Sequence, residues 1–116
     1  MKALDAAFAA LADPTRRGVL RVLTKGPRRA GELASALEVQ ASALTRHLRV
    51  LRESGFVEEE AAEDDARARI YRLRREPLSE LREWIDEVET FWTRQLASFQ
   101  RHAERRSRSP HSGGRE

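Results

Sequence analysis

Residues 41–54 carry the side chains of this sequence that are best suited to recognising another molecule. Leu44, Leu48 and Leu51 recur at helical spacing, so they are expected to form one buried face of a helix. The opposite face carries hydroxyl and basic side chains: Ser42, Thr45, Arg46 and Arg49. Small side chains let a helix backbone approach base edges, and arginine can donate two parallel hydrogen bonds to guanine. The segment therefore predicts a helix that reads the major groove of DNA.

An ordinary solvated helix face is the alternative explanation for these polar residues. Such a face more often carries glutamate and lysine four residues apart, because that spacing forms ion pairs along the helix. Here the outer face carries no carboxylate before Glu53. Its composition therefore favours contact with a polyanion.

The basic charge is concentrated in one part of the chain, although the net charge of the 116 residues is only +3. Residues 14–54 contain nine basic and three acidic side chains, whereas residues 56–69 contain six acidic and two basic ones. Such clustering is typical of a surface that binds polyanions, and it also occurs on solvated helices. The basic tail at residues 104–116 has nothing apolar to bury, so we expect it to be disordered.

The elements that would position the recognition helix follow from apolar spacing and helix caps. A first helix is predicted to end near Ala12, and a second begins where Asp13 can act as the N-cap and Pro14 as the first helical residue. A third helix is predicted over residues 30–37, and a three-residue link joins it to the recognition helix. This spacing is typical of a helix-turn-helix.

A β-hairpin is predicted after the recognition helix, which Gly55 is expected to end in a left-handed conformation. Its two strands are residues 56–60 and 69–73, with a polar connector between them. A helix-turn-helix followed by a hairpin is a winged helix. The predicted fold class is mainly α (α+β), with about five helices and a two-stranded wing in one domain over residues 1–103.

The last predicted helix, residues 77–103, carries a long apolar stripe that includes Leu81, Ile85, Val88, Trp92 and Leu96. At about 1.5 Å per residue this helix is roughly 40 Å long, more than the expected width of the domain. A second copy of the chain is therefore expected to cover part of the stripe. An ordinary core helix is one alternative, and a small organic ligand near Trp84, Phe91 and Trp92 is another.

Several classes of function find no support in the composition. The absence of cysteine excludes disulfides and thiolate metal sites. Neither a membrane-spanning run nor a signal-peptide pattern is present, so a cytoplasmic location without membrane partners is expected. No arrangement of nucleophile, base and metal ligands is recognisable around the three histidines, so neither an enzyme nor a cofactor is expected.

Four stretches of the sequence resemble motifs of the ArsR-type (ArsR/SmtB) bacterial transcriptional repressors, and they occur in that family's order and spacing. The resemblance extends over residues 4–99. Residues 8–17 resemble the motif that bridges the first two helices, and residues 32–34 resemble the start of the helix-turn-helix. Residues 44–51 resemble the recognition motif, and residues 70–73 resemble the second wing strand. Each stretch is weak alone, and together they are specific.

The resemblance implies a homodimeric repressor that binds double-stranded DNA at a twofold-symmetric operator and places one recognition helix in each major groove. The implied dimer is built from the first and last helices, with contacts from Leu4, Phe8, Leu81, Ile85, Val88, Trp92 and Leu96. The implied DNA contacts are Gln40, Ala41, Ser42, Thr45, Arg46 and Arg49, with Arg67 and Arg69 on the wing. An unidentified small-molecule effector is a further possible partner. The alternative is a winged-helix interaction or dimerisation module with weak or no DNA binding.

The sequence departs from the family pattern at its metal-sensing positions. Arg29 and Gly31 stand where soft-metal sensors often carry cysteines, which excludes a thiolate site. Asp86 and Glu87 lack histidine partners in register, so no metal is expected on the last helix either. His47 matches the motif histidine and is expected to pack or to contact a phosphate.

The wing and the start of the recognition helix also depart from the pattern. Residues 58–65 are acidic where many relatives have a basic wing tip. Either the wing is held away from DNA with only Arg67 and Arg69 in reach, or its acids balance arginines elsewhere in the fold. Gln40 is a poor N-cap, so Ser42 is expected to cap the first turn instead.

Overall fold

The computed structural model describes residues 2–108, and these residues confirm the winged helix-turn-helix. The elements, in chain order, are α1 Lys2–Leu11, α2 Pro14–Leu23, β1 Arg28–Arg29, α3 Ala30–Leu37, α4 Ala41–Glu53, β2 Val57–Ala61, β3 Arg69–Leu73 and α5 Glu76–Arg108. The chain divides into two compact units, of which the first ends at Leu81 and the second begins at Arg82. Among the described residues, no helix has both the length and the apolar character needed to cross a membrane.

The sheet has three strands, whereas the sequence predicted two. Strand β1 pairs antiparallel with β3 and places Arg28 opposite Tyr71, so the strand order is β1-β3-β2. Strand β1 was not predicted, because its two residues are too few to show an alternating pattern in the sequence. The wing strands β2 and β3 pair from Val57 opposite Leu73 to Ala61 opposite Arg69.

The core of the first unit fixes the inner face of the recognition helix α4. Leu44, Leu48 and Leu51 are at most 3% exposed, as the amphipathic pattern predicts. They belong to a cluster of buried side chains from α1 to α4, both wing strands and the first turns of α5. Its members are Ala7, Ala10, Val19, Leu20, Leu23, Leu33, Ala34, Leu44, Leu48, Leu51, Phe56, Val57, Tyr71 and Leu81.

Helix α1 buries alanines rather than its largest apolar side chains. Ala7 and Ala10 are fully buried, Leu4 is half-buried against the core, and Phe8 is 40% exposed. The apolar spacing predicted the helix correctly, but it did not identify which residues face the core. Alanine at both buried positions lets the α1 backbone lie close to its neighbours.

Helix α5 continues to Arg108, which corrects the predicted start of a disordered tail at residue 104. Glutamate and arginine occupy four of the five positions from 104 to 108, and both are good helix formers. The rest of the predicted tail, residues 109–116, lies outside the described residues. Within the second unit the stripe side chains Ile85, Val88, Phe91, Trp92, Leu96 and Phe99 are between 46% and 69% exposed.

Gly55 follows Ser54, the C-cap of α4, and is left-handed with φ of 84°. We expect Gly55→Ala to lower the free energy of unfolding by about 1–2 kcal/mol, because a side chain strains this conformation. Gly31→Ala is the matched control, since its Cβ would meet no atom within 4 Å in the first turn of α3. It should raise the unfolding free energy by up to about 1 kcal/mol. Urea unfolding measures both, and equal effects of the two substitutions would contradict this account.

The N-cap of α2 makes stability depend on pH. The Asp13 carboxylate accepts a hydrogen bond from the backbone N–H of Arg16 at 3.1 Å, which lowers the pKa of Asp13 below its ordinary 3.8. A lowered folded-state pKa stabilises the fold above the unfolded-state pKa, and this stabilisation is lost as the pH falls through the folded-state value. Asparagine keeps the cap without titrating.

We therefore expect the wild type to lose more unfolding free energy than Asp13→Asn between neutral pH and about pH 3. Chemical denaturation at a series of pH values measures the difference. Asp86→Asn on α5 removes the same charge without altering the cap, and it should follow the wild type. A wild-type curve parallel to that of Asp13→Asn would show that the cap does not contribute.

Candidate nucleic-acid interface

The outer face of α4 presents the predicted DNA-contacting side chains together. Ser42, Thr45, Arg46 and Arg49 are all exposed, and so are Gln40 and Ala41 at the start of the helix. Their exposure follows from the buried leucines, because side chains on a helix point in directions fixed 100° apart.

The first turn of α4 differs from the sequence prediction. Gln40 takes the extended N-cap conformation with φ −73° and ψ 143°, and α4 has no side-chain cap among the described residues. The expected cap by Ser42 is therefore not formed. The Thr45 hydroxyl donates to the Ala41 carbonyl at 3.1 Å, which leaves its oxygen lone pairs as acceptors. Arg46 and Arg49 are the strong donors of this face.

Some arginines of residues 14–54 already bond to other groups of the chain, whereas others have no ion pair with any described residue. Arg16 and Arg17 donate to backbone carbonyls at the end of α1, and Arg52 pairs with Glu59 at 2.9 Å. Within residues 2–108, Arg46 and Arg49 have no ion pair. Their charge is therefore available to a partner.

Four of the six acidic residues of the wing pair with arginines of the same chain. These pairs are Glu59 with Arg52 at 2.9 Å, Glu60 with Arg72 at 2.6 Å, Glu58 with Arg74 at 3.8 Å, and Asp64 with Arg29. Of the two alternatives left open by the sequence, these contacts favour the one in which the acids balance arginines elsewhere in the fold. Pairing reduces the net field of the acidic strand, because each carboxylate lies close to an opposite charge.

Glu59 connects the wing to the end of α4. One carboxylate oxygen accepts from Arg52 of α4, and the other accepts from the Tyr71 hydroxyl of β3 at 2.8 Å. Burial of the ring and this hydrogen bond raise the pKa of Tyr71 to about 12. The phenol therefore keeps its proton at neutral pH and fixes Glu59 inside the fold.

Arg67 and Arg69 are the basic side chains of the wing that the sequence singled out. Both are exposed, and neither guanidinium has an ion pair in the described part of the chain. They line a depression of about 580 Å³ with Arg29, Glu32 and Tyr71, beside the start of α3. The wing therefore retains some uncompensated positive charge at the start of β3.

His47 is held inside the fold rather than presented to solvent. Its Nδ1 lies 3.2 Å from Nη1 of Arg16 and 3.8 Å from the Asp13 carboxylate, and its side chain is 21% exposed. Packing, one of the two roles expected from the sequence, is thus the role this geometry supports. Among residues 2–108, no group of three histidine, cysteine or carboxylate side chains could hold a metal ion.

Sequence reasoning missed the role of Arg16 and Arg17, which it counted only as basic charge. Arg16 bonds the carbonyls of Ala9 and Ala10, and Arg17 bonds that of Leu11 at 2.7 Å. Arginines near the C-terminus of a helix can satisfy its last carbonyls. The sequence signal was the pair of adjacent arginines in the first turn after the Asp13 cap.

Known proteins with similar sequences indicate the family to which this chain belongs. A family model described as a helix-turn-helix domain matches residues 11–60. The HTH-type transcriptional regulator Rv2034 of Mycobacterium tuberculosis is 39% identical over 95 residues, which cover 82% of this chain and 83% of the relative.

Solved structures agree over a similar length. The crystal structure of the ArsR family transcriptional regulator RHA00566 matches with a TM-score of 0.72 at 32% identity, over 79% of this chain and 92% of the other. An ArsR-like transcriptional regulator from Rhodococcus sp. RHA1 matches with a TM-score of 0.75 at 29% identity, over 88% and 93% of the two chains. The likeness therefore extends well beyond the helix-turn-helix.

Proposed function

This chain belongs to the ArsR family of DNA-binding transcriptional regulators, and we propose that it represses transcription as a homodimer on a twofold-symmetric operator. The observation that carries the proposal is the outer face of α4, where Arg46 and Arg49 are exposed opposite the buried leucines. A dimer bound across a promoter would block transcription by occupying the site.

The two arginines are proposed to have different roles on DNA. One donates to a base edge, where a bidentate contact with guanine discriminates by about 1–3 kcal/mol. The other contacts a phosphate, which adds affinity without sequence preference. Gln40, Ala41, Ser42 and Thr45 complete the surface at the start of the helix.

The wing is proposed to contact the phosphate backbone through Arg67 and Arg69. Both guanidiniums lack an ion pair in the described part of the chain, whereas the wing acids named above are paired. Direct contact by the acidic connector would be repulsive. The recognition helix therefore supplies the specificity in this proposal, and the wing supplies a small number of phosphate contacts.

The dimer is proposed to form through the apolar stripe of α5, with Phe8 of α1 as a further contact. The stripe side chains Ile85, Val88, Trp92 and Leu96 are roughly half exposed in the single chain. Exposed apolar patches of this extent mark interaction surfaces. Leu81 was included in the predicted dimer surface, but it is 5% exposed within the core of the first unit, so we omit it.

Arg46→Ala and Arg49→Ala test the DNA contacts. Loss of the base-reading arginine should cost about 1–3 kcal/mol and relax specificity, and loss of the phosphate contact should lower the salt slope of binding by about one. Fluorescence anisotropy on the DNA upstream of the gene, over a series of salt concentrations, measures both effects. Arg94→Ala removes an equal charge from α5 and is the control.

Two results would contradict the repressor proposal. One is the absence of binding even at low salt. The other is unchanged binding when Arg46 and Arg49 are both replaced, while Arg94→Ala behaves like the wild type. Either result would favour the winged-helix interaction module without DNA binding.

Val88→Arg tests the dimer surface. A charge buried without a partner in an apolar interface should weaken the dimer by about 3–5 kcal/mol. Thr90→Arg adds the same charge on the opposite face of α5 and should leave the dimer intact. Sedimentation velocity measures the assembly state, and a dimer that survives Val88→Arg would place the interface elsewhere.

A further inference from the structure

We propose that Arg16 is a positioning residue, which sets the orientation of the recognition helix α4 relative to α1 through Nδ1 of His47. The inference rests on the proposed function, because it concerns how α4 is presented to DNA. It adds a residue that does not contact DNA to the determinants of operator binding.

The guanidinium of Arg16 is shared between two helices other than its own. Arg16 lies in the first turn of α2, where its Nε donates to the Ala10 carbonyl at 2.6 Å and its Nη2 donates to the Ala9 carbonyl at 3.1 Å. Its Nη1 lies 3.2 Å from Nδ1 of His47, in the middle of α4. One rigid planar group therefore fixes the separation between the end of α1 and the centre of α4.

The contact requires one tautomer of the neutral His47 ring. A guanidinium has five N–H donors and no acceptor, so Nδ1 must accept, and the proton of the neutral imidazole is on Nε2. Asp13 already accepts from the Arg16 backbone and lies 3.8 Å from Nδ1. Protonation of Nδ1 would remove the acceptor, place two cations side by side and turn the imidazolium towards Asp13. The link from Arg16 to α4 therefore exists only while His47 is neutral.

Leucine burial fixes which face of α4 points outward, and the Arg52–Glu59 pair holds its C-terminal end, but small rotations at the centre of α4 are left for this link to set. Leu44, Leu48 and Leu51 hold the helix by apolar burial, which has no preferred direction. A hydrogen bond is directional and weakens steeply when it is misaligned. His47 directly follows Arg46 and lies two residues before Arg49, so a rotation of α4 about this contact moves both DNA-contacting arginines.

Arg16→Lys and Arg17→Lys form a matched pair for the test. Both keep the positive charge and both disturb bonds to α1 carbonyls, two for Arg16 and one for Arg17, but only Arg16 reaches α4. A single ammonium cannot serve Ala9, Ala10 and His47 together. We expect Arg16→Lys to weaken operator binding about three- to thirtyfold and Arg17→Lys to stay within about twofold of the wild type.

The pair should also differ in tolerance of operator spacing. With α4 less firmly oriented, Arg16→Lys should discriminate less between operators whose half-sites are one base pair closer or farther apart. Circular dichroism and sedimentation velocity should show both variants folded and in the wild-type assembly state. Equal affinity and equal spacing preference of the two variants would overturn the proposal.

Two substitutions of His47 distinguish the role of its Nδ1 acceptor from the role of its size. The amide introduced by His47→Asn offers a carbonyl oxygen near the position of Nδ1 and does not titrate, whereas His47→Leu offers no acceptor. His47→Asn should therefore bind the operator about as well as the wild type, and His47→Leu should bind it weakly.

A measurement without DNA tests the inference independently of the proposed function. Long-range ¹H–¹⁵N correlation spectra of the free protein at pH 8 should show an unprotonated Nδ1 in His47. A proton on Nδ1 would defeat the Arg16 link even if the wild type binds its operator. Failure of the wild type to bind DNA, with Nδ1 unprotonated, would instead defeat only the proposed function.

Discussion

Burial of the leucine face of α4 is the constraint on which the candidate site depends. Truncating one buried leucine to alanine typically costs about 2–5 kcal/mol, so a large rotation of α4 about its axis would be prohibitive. Because Leu44, Leu48 and Leu51 must point inward, Arg46 and Arg49 must point outward. The core thus determines which face of the helix is offered to DNA, and the contacts around it refine the orientation.

Pairing of charges elsewhere in the chain leaves the outer face of α4 as its dominant positive surface. Arg16 and Arg17 satisfy carbonyls of α1, and four of the six acids in residues 58–65 are paired with arginines. Exposed ion pairs of this kind contribute only about 0–1 kcal/mol each to stability. Their main physical consequence is therefore electrostatic, since they cancel charge of both signs around α4. The positive field at the outer face of α4 is therefore stronger than the net charge of +3 alone suggests.

The sequence predicted what local physics determines and missed what depends on tertiary contact. Asp13 and Pro14 marked the start of α2, and the periodic leucines marked both faces of α4. Strand β1 exists only because β3 pairs with it, which no local pattern records. Neighbouring helices likewise determine that Ala7 rather than Phe8 is buried. They also supply the bonding partners of Arg16, which are Ala9 and His47. The longer extent of α5 was missed because a charged segment without apolar residues resembled a disordered tail.

The proposed dimer follows from the small number of groups that one recognition helix offers. The one base-reading arginine of each helix discriminates by about 1–3 kcal/mol. Specific binding typically exceeds nonspecific binding by about 4–10 kcal/mol. One helix falls short of that range, whereas two helices held about one DNA turn apart supply roughly 2–6 kcal/mol together and reach its lower part. In the proposed dimer the exposed stripe of α5 would therefore be as necessary to sequence recognition as the base-reading arginines, because it would set the spacing between the two recognition helices.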